Sequence, residues 1–239
     1  MPKLEISKVH DAYEDAGECP LCILHEAAEA TYLRSFQHSR VMEPNVRVQT
    51  NETGFCPDHY GKLYRAENKL GLGLVVHTHL QQKIPQIRAA LERIAEAGTG
   101  RRSRQSAAEA EATLASMRDR CFICDMLRTD GERYAFTILY LWSRDAEFPA
   151  RFQASHGFCM GHFLQMLSAA PKLLRPDRAQ RWIDEAVALQ IKSFDSLERD
   201  LLAFTQLSRS ENSSLGSEAE RTALGRTLQK LAGGRFRLA

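Results

Sequence analysis

The sequence has few of the residues that favour β-sheets. Valine and isoleucine together number 16, against 57 for alanine and leucine, and the latter two favour helices. No apolar run reaches about 18 residues, the length that a transmembrane helix needs. Residues 1–17 are too polar for a secretory signal. These absences predict an all-α protein of the cytoplasm.

A strong charge of either sign is also missing. Lysine and arginine number 32 and aspartate and glutamate 30, which gives a formal net charge of +2. Proteins that bind phosphate backbones usually carry a clear basic excess, so nucleic acid is a disfavoured partner. The sequence contains no Gly-rich phosphate loop, no Gly-x-Ser-x-Gly elbow and no His-Glu-x-x-His pair. We therefore expect a non-catalytic protein that interacts with or regulates another protein, with no membrane contact.

All six cysteines belong to one arrangement that occurs twice. The first copy is Cys-Pro-Leu-Cys at 19–22, separated by 33 residues from the cysteine of a Gly-Phe-Cys-x-x-His motif that ends at residue 59. The second is Cys-Phe-Ile-Cys at 121–124, separated by 34 residues from the cysteine of the same motif, which ends at residue 162. Tyr32 and Tyr134 each lie ten residues past the second cysteine of their copy. This agreement indicates an internal duplication.

Each copy supplies three thiolates and one imidazole, the donor set of a closed tetrahedral zinc site. Donors three positions apart share one face of a helical turn, so each short motif can chelate one ion. Soft thiolates disfavour magnesium and calcium, which makes zinc the first choice and iron or an iron–sulfur cluster the alternative. We expect two zinc ions per chain and eight metal ligands: Cys19, Cys22, Cys56, His59, Cys121, Cys124, Cys159 and His162.

The spacing favours sites that close within each copy, so that Cys19 and Cys22 meet Cys56 and His59. Swapped ligation, in which one copy's Cys-x-x-Cys meets the other's Cys-x-x-His, stays open because spacing does not show which ends meet. Four protein ligands leave no open position, so the expected role is structural. Disulfides are disfavoured in a reducing cytoplasm. The alternative function is a thiol–zinc redox sensor.

Helix start and stop signals place these ligands near helix ends. The expected helices run from Ser7, as N-cap, to Ala16; from Pro20 to about Arg40; from Pro57 onward; through the stripe Leu80–Ile94 to Gly98, kinked or divided at Pro85; from Ala107 to Arg118; from Cys124 to Ser143; from Cys159 to Ala169; along the stripe Ile183, Val187, Ile191, Phe194, Leu197, Leu201 and Phe204; and from Glu218 to Leu231.

The domain organisation follows from the repeat and from one break in composition. We expect a first helical repeat over 1–98, a linker over 99–106, a second repeat with a long helix over 107–208, and a mobile segment with a terminal helix over 209–239. Each repeat is expected to be a helix pair joined by a zinc site. Loops of more than thirty residues cost several kcal/mol to close, less than the roughly 10–16 kcal/mol with which structural zinc binds.

Three histidines outside the motifs need separate interpretation. His25 lies three residues after Cys22 and is an alternative ligand, but the second copy has Leu127 there. His77 and His79 are two positions apart on a predicted helix, so they point in different directions and cannot share an ion. We expect His77 to serve in helix packing.

Nearly the whole chain resembles an uncharacterised family of mostly bacterial proteins, a domain of unknown function. The resemblance includes the cysteine motifs together with Asp11-Ala12-Tyr13-Glu14, Met42-Glu43-Pro44-Asn45-Val46-Arg47, Asn68-Lys69-Leu70-Gly71, His77-Thr78-His79-Leu80 and the closing Ala223-Leu224-Gly225-Arg226-Thr227-Leu228-Gln229-Lys230-Leu231. It implies paired cysteine motifs of metal-binding character and no established activity.

Overall fold

A computed structural model describes residues 4–15, 17–38, 40–98, 100–118, 120–207 and 216–234. Within these ranges every regular element is a helix, which confirms the all-α prediction. The α-helices are α1 (Ile6–Glu14), α2 (Pro20–Gln37), α3 (Pro44–Thr53), α4 (Pro57–Arg65), α5 (Lys69–Ala95), α6 (Arg101–Arg118), α7 (Phe122–Arg144), α8 (Phe148–Ala154), α9 (Met160–Leu173), α10 (Pro176–Leu207) and α11 (Glu218–Ala232), with a short 3-10 helix at Arg40–Met42. None of these described helices is both long and apolar enough to cross a bilayer.

The chain folds as two compact units that do not coincide with the two sequence repeats. The central unit is residues 28–129, and the terminal unit combines residues 1–27 with residues 130–239. The expected division at a linker over 99–106 is therefore corrected. Arg101 begins α6, because arginine and glutamine after Gly100 are good helix formers. Of the expected mobile segment, residues 208–215 lie outside the described part of the chain.

The terminal unit packs around buried aromatic side chains. Trp182 of α10 is fully buried and stacks on Phe152 of α8 with 5.9 Å between ring centroids. The apolar stripe predicted along α10 is offset from its buried face, since Ile191 is 57% exposed while Ala186 is buried. The buried face carries the large ring of Trp182 and the small side chains of Ala179 and Ala186, a combination that allows close packing. The helix α8 was not anticipated from the sequence.

The central unit has its own aromatic core. Phe36 of α2 packs edge-on against Phe55 at 5.4 Å and against Phe122 at 5.6 Å.

Pro85 lies inside α5 without dividing it. Proline at the first helical position costs no hydrogen bond, and Pro57 starts α4 as predicted. At the other end of the chain α1 begins at Ile6 with Glu5 before it, so the predicted N-cap role of Ser7 is wrong.

Candidate metal centres

All four ligand motifs lie at the N-termini of helices. Cys56 and Cys159 are the N-cap residues of α4 and α9, and each histidine follows on the first turn. Cys19 and Cys121 directly precede α2 and α7. The partial positive charge of a helix N-terminus stabilises a thiolate nearby. The local fold therefore prepares each motif to bind a cation through deprotonated sulfur.

The first group of ligand atoms, called site 1, combines the starts of α2 and α9 within the terminal unit. It consists of Cys19, Cys22, Cys159 and His162. His162 Nδ1 lies 3.4 Å from the sulfurs of both Cys19 and Cys22 and 3.3 Å from that of Cys159. The sulfurs of Cys22 and Cys159 are 3.6 Å apart. The three cysteines are buried and His162 is half-buried.

The second group, called site 2, combines the starts of α4 and α7 within the central unit. It consists of Cys56, His59, Cys121 and Cys124. His59 Nδ1 lies 3.2, 3.3 and 3.4 Å from the sulfurs of Cys56, Cys121 and Cys124. The sulfurs of Cys56 and Cys124 are 3.8 Å apart. Cys121 and His59 are buried, whereas Cys124 is exposed.

Both groups have the dimensions of a tetrahedral site for a metal ion. A zinc ion bound at about 2.3 Å to sulfur and about 2.0 Å to nitrogen needs sulfurs about 3.8 Å apart and sulfur–nitrogen separations of about 3.5 Å. The separations in the two sites, 3.6 and 3.8 Å between sulfurs and 3.2–3.4 Å from sulfur to nitrogen, are close to these values. Each group can therefore hold a metal ion with all four of its donors.

The expectation that each repeat closes on itself is wrong in its grouping of the ligands. Each site takes Cys-x-x-Cys from one repeat and Cys-x-x-His from the other. Cys22 is on the first turn of α2, whereas Phe55, beside Cys56, packs against Phe36 on the last turn of the same helix. The length of α2, 18 residues, separates its two ends. The Cys-x-x-His of the first repeat therefore lies near the end of α2 and away from the Cys-x-x-Cys at its start.

Burial and mutual contacts shift the pKa values of the ligand side chains in site 1. Burial raises the pKa of the Cys19 thiol well above its ordinary value. Hydrogen bonds from Cys19 and Cys22 lower the pKa of Cys159. Burial alone would lower the pKa of His162, but its contacts with the sulfurs of Cys159 and Cys22 raise the pKa to about 9. These donors therefore retain a proton, and a divalent cation that binds them would displace it.

Site 2 has a second layer of polar contacts that orients its histidine. Glu29 Oε1 of α2 lies 3.0 Å from His59 Nε2, and the ammonium of Lys62 donates to the same oxygen at 2.8 Å. A carboxylate that accepts from the outer nitrogen of a ligating histidine sets its tautomer and ring orientation. Glu29, Asp58 and His59 also form a group of possible ligands, but Lys62 pairs with both carboxylates and supplies their countercharge.

No repeated motif marks Glu29, because the two repeats differ at its position. Glu29 lies seven residues after Cys22, and Gly131 holds the matching position in the second repeat. Lys62 lies three residues after His59, and Gln165 matches it. Gln165 Nε2 lies 3.5 Å from where a Cβ on Gly131 would be. The repeat places these two pairs equivalently, but only the pair at site 2 is charged.

Site 1 is bordered by a buried network of charges that includes α11. Glu18, directly before Cys19, is buried and accepts from Arg226 Nε at 2.6 Å. Arg226 also donates to Asp200 at 3.0 Å. Lys230 is fully buried, donates to the carbonyl oxygen of His156, and lies 3.9 Å from Glu18. Because these residues are dispersed along the chain, no sequence motif marks the network.

The glycine of each Gly-Phe-Cys motif makes the turn that delivers the cysteine to its helix. Gly54 and Gly157 have φ angles of 61° and 76°, which favour glycine. At Gly157 a Cβ would lie 2.8 Å from Gln190 Oε1. That oxygen accepts from the Phe158 N–H at 3.2 Å, while the Gln190 amide donates to the Phe158 carbonyl at 2.7 Å. The glycine therefore leaves space for a side chain that secures the turn.

The other histidines take no place in the two groups. His25 has its ring 6.3 Å from the ring of His162 and is not among the site 1 ligand atoms. His79 Nδ1 lies 2.8 Å from the carbonyl oxygen of Asn51. His77 is exposed, so its predicted role in helix packing is wrong.

Comparisons with known proteins connect this chain to a family but not to an activity. Neither the curated proteins nor the solved structures include a match. The profile of one protein family, described as a family of unknown function (DUF6062), matches residues 2–237. Since the match extends over nearly the whole chain, the protein belongs to the family of unknown function DUF6062.

Proposed function

We propose that the protein binds two zinc ions, one at site 1 and one at site 2. The observation that carries this proposal is the pair of three-cysteine, one-histidine groups whose ligand atoms all lie within 4.8 Å of one another. Thiolate-rich sets of this kind favour zinc, and iron is the second candidate. With four protein donors at each ion, no position is left for a substrate or an activated water.

The ions serve to fasten helices that lie far apart in the sequence. Site 1 joins the starts of α2 and α9, and site 2 joins the starts of α4 and α7. Binding of structural zinc contributes about 10–16 kcal/mol, which exceeds the several kcal/mol of entropy lost on closing such long loops. Zinc therefore stabilises the fold, and the helical surface acts by binding or regulating a protein partner.

The cytoplasm is the compartment that suits this role. No disulfide joins any of the six cysteines, all of which lie in the described part of the chain, and a reducing compartment keeps thiols available for metal. A thiol–zinc redox sensor is the second candidate function, because Cys124 is exposed while it belongs to site 2. Nucleic acid remains a disfavoured partner on grounds of net charge.

Elemental analysis of protein purified without added metal tests the proposal. We expect two zinc ions per chain, and one ion in each of the variants His59→Ala and His162→Ala. Removal of zinc by a chelator should lower both helicity and melting temperature. Zinc content well below one ion per chain, or stoichiometric iron with sulfide, would overturn the proposal. A chelated protein that melts like the untreated protein would overturn the structural role.

A further inference from the structure

We propose that the two sites differ in chemistry: site 1 is a protected structural site, and site 2 is a peroxide-sensitive switch that closes a disulfide between Cys56 and Cys124. The inference rests on the proposed function, since it assigns separate roles to the two metal sites. It arises from a difference in solvent access between two sites that have the same donor set.

The sulfurs of site 1 are sealed from solvent. Cys19, Cys22 and Cys159 are 0, 4 and 2% exposed. Gly233, at the end of α11, is so close that a Cβ on it would lie 3.5 Å from the Cys159 sulfur. An oxidant must reach a sulfur to react with it, so site 1 should react only after local opening.

The sulfurs of site 2 include two that solvent can reach. Cys124 is exposed and Cys56 is half-buried, whereas Cys121 is 3% exposed. The Cys56 and Cys124 sulfurs are 3.8 Å apart, so small side-chain movements would bring them to the disulfide length of about 2.05 Å. The accessible pair is thus also a pair in contact, and it links the start of α4 to the start of α7.

The oxidation consumes one peroxide molecule and two thiolates. The Cys124 thiolate attacks one peroxide oxygen, the O–O bond breaks, and hydroxide leaves, which produces a sulfenic acid. The Cys56 thiolate then attacks that sulfur and displaces a second hydroxide, which forms the disulfide. Two electrons pass from the sulfurs to the peroxide, and solvent protons convert both hydroxides to water. Site 2 has then lost two of its four donors and binds zinc much more weakly.

The zinc-loaded full chain, treated with limiting hydrogen peroxide, tests this assignment. A metallochromic dye follows zinc release, and alkylation followed by peptide mass spectrometry locates the disulfide. We expect one zinc ion to leave at least ten times faster than the other, with Cys56 joined to Cys124 and the cysteines of site 1 still reduced. A thiol reductant with added zinc should restore the second ion.

Matched single-site variants check which ion leaves first. His162→Ala retains only site 2 and should release its zinc at the fast rate, whereas His59→Ala retains only site 1 and should release its zinc at the slow rate. Release of both ions at one rate, earlier oxidation of site 1, no release before unfolding, or a Cys121–Cys124 disulfide would overturn the inference. A full chain that binds no zinc would instead overturn the proposed function.

Discussion

At the scale of single residues, Glu29 distinguishes the two sites most clearly. Its carboxylate lies 3.0 Å from His59 Nε2 and is itself paired with Lys62. The equivalent position at site 1 is Gly131, which has no side chain to offer. The two sites therefore have the same types of ligand and differ in the groups that orient the ligating histidine.

Replacement Glu29→Ala should weaken zinc binding at site 2 by about 10–100-fold, because outer carboxylate partners of ligating histidines typically contribute that much. Competition with a chelator in the His162→Ala background isolates site 2. Gln165→Ala, at the position matching Lys62, is the control and should change the affinity of site 1 less than threefold in the His59→Ala background. Equal effects of the two replacements would contradict an orienting role for Glu29.

The backbone conformation at position 157 requires a glycine. Its φ is 76°, and a Cβ would come within 2.8 Å of Gln190 Oε1. We expect Gly157→Ala to lower the free energy of unfolding by about 1–3 kcal/mol. Gly161 is the matched control because it lies on the first turn of α9, where an added methyl group would have no neighbour within 4 Å, so alanine there should be neutral or stabilising. Chemical denaturation of both variants checks this difference.

At the scale of elements, α11 is held to the terminal unit by buried charge. Arg226 joins this helix to Glu18, which is only 1% exposed, and to Asp200. Burial lowers the pKa of Lys230, whose attraction to Glu18 opposes that effect. Such pairs resist removal of one partner because the remaining charge stays buried.

Replacement Arg226→Met should destabilise the protein by about 3–5 kcal/mol, because Glu18 would keep its burial and lose its closest countercharge. Arg221→Met on the exposed face of the same helix is the control and should stay within about 0.5 kcal/mol. Denaturant unfolding measures both. A loss below about 1 kcal/mol in Arg226→Met would show that apolar packing alone docks α11.

At the scale of the whole molecule, each site combines ligands from both sequence repeats. Site 1 draws on residues about 140 positions apart and lies within one compact unit. The boundary between the units falls inside α2 and α7 rather than between the repeats. The two motifs of one repeat therefore do not form a site together.

Pairs of serine substitutions in the intact chain test this grouping. Cys19→Ser with Cys159→Ser disables only site 1, so the protein should keep one tightly bound zinc. Cys19→Ser with Cys56→Ser removes one donor from each site, so both ions should be lost to a chelator wash, because three donors bind more weakly than four. Closure within each repeat would give the reverse result, no zinc for the first pair and one for the second. Zinc analysis after the wash decides between them.

Local patterns in the sequence determined the helical class, the starts of α2, α4 and α11, and the candidate ligands. Prolines at 20, 44 and 57 mark helix starts, and the spacing of two residues within each motif brings two donors together on one turn. Such features depend on residues close together in the chain, where propensity and stereochemistry act directly.

The pairing of the four motifs into two sites depends on how the helices pack. The spacings within the sequence are compatible with either grouping of the ligands into two sites. The grouping that forms depends on where α2 ends relative to the turn at Phe55, and Phe55 packs against Phe36 in the last turn of α2. The roles of Glu29 and Lys230 were hidden for the same reason, since their partners lie 30 and 74 or more positions away. Contacts between distant segments arise from packing of the whole chain, which local patterns do not encode.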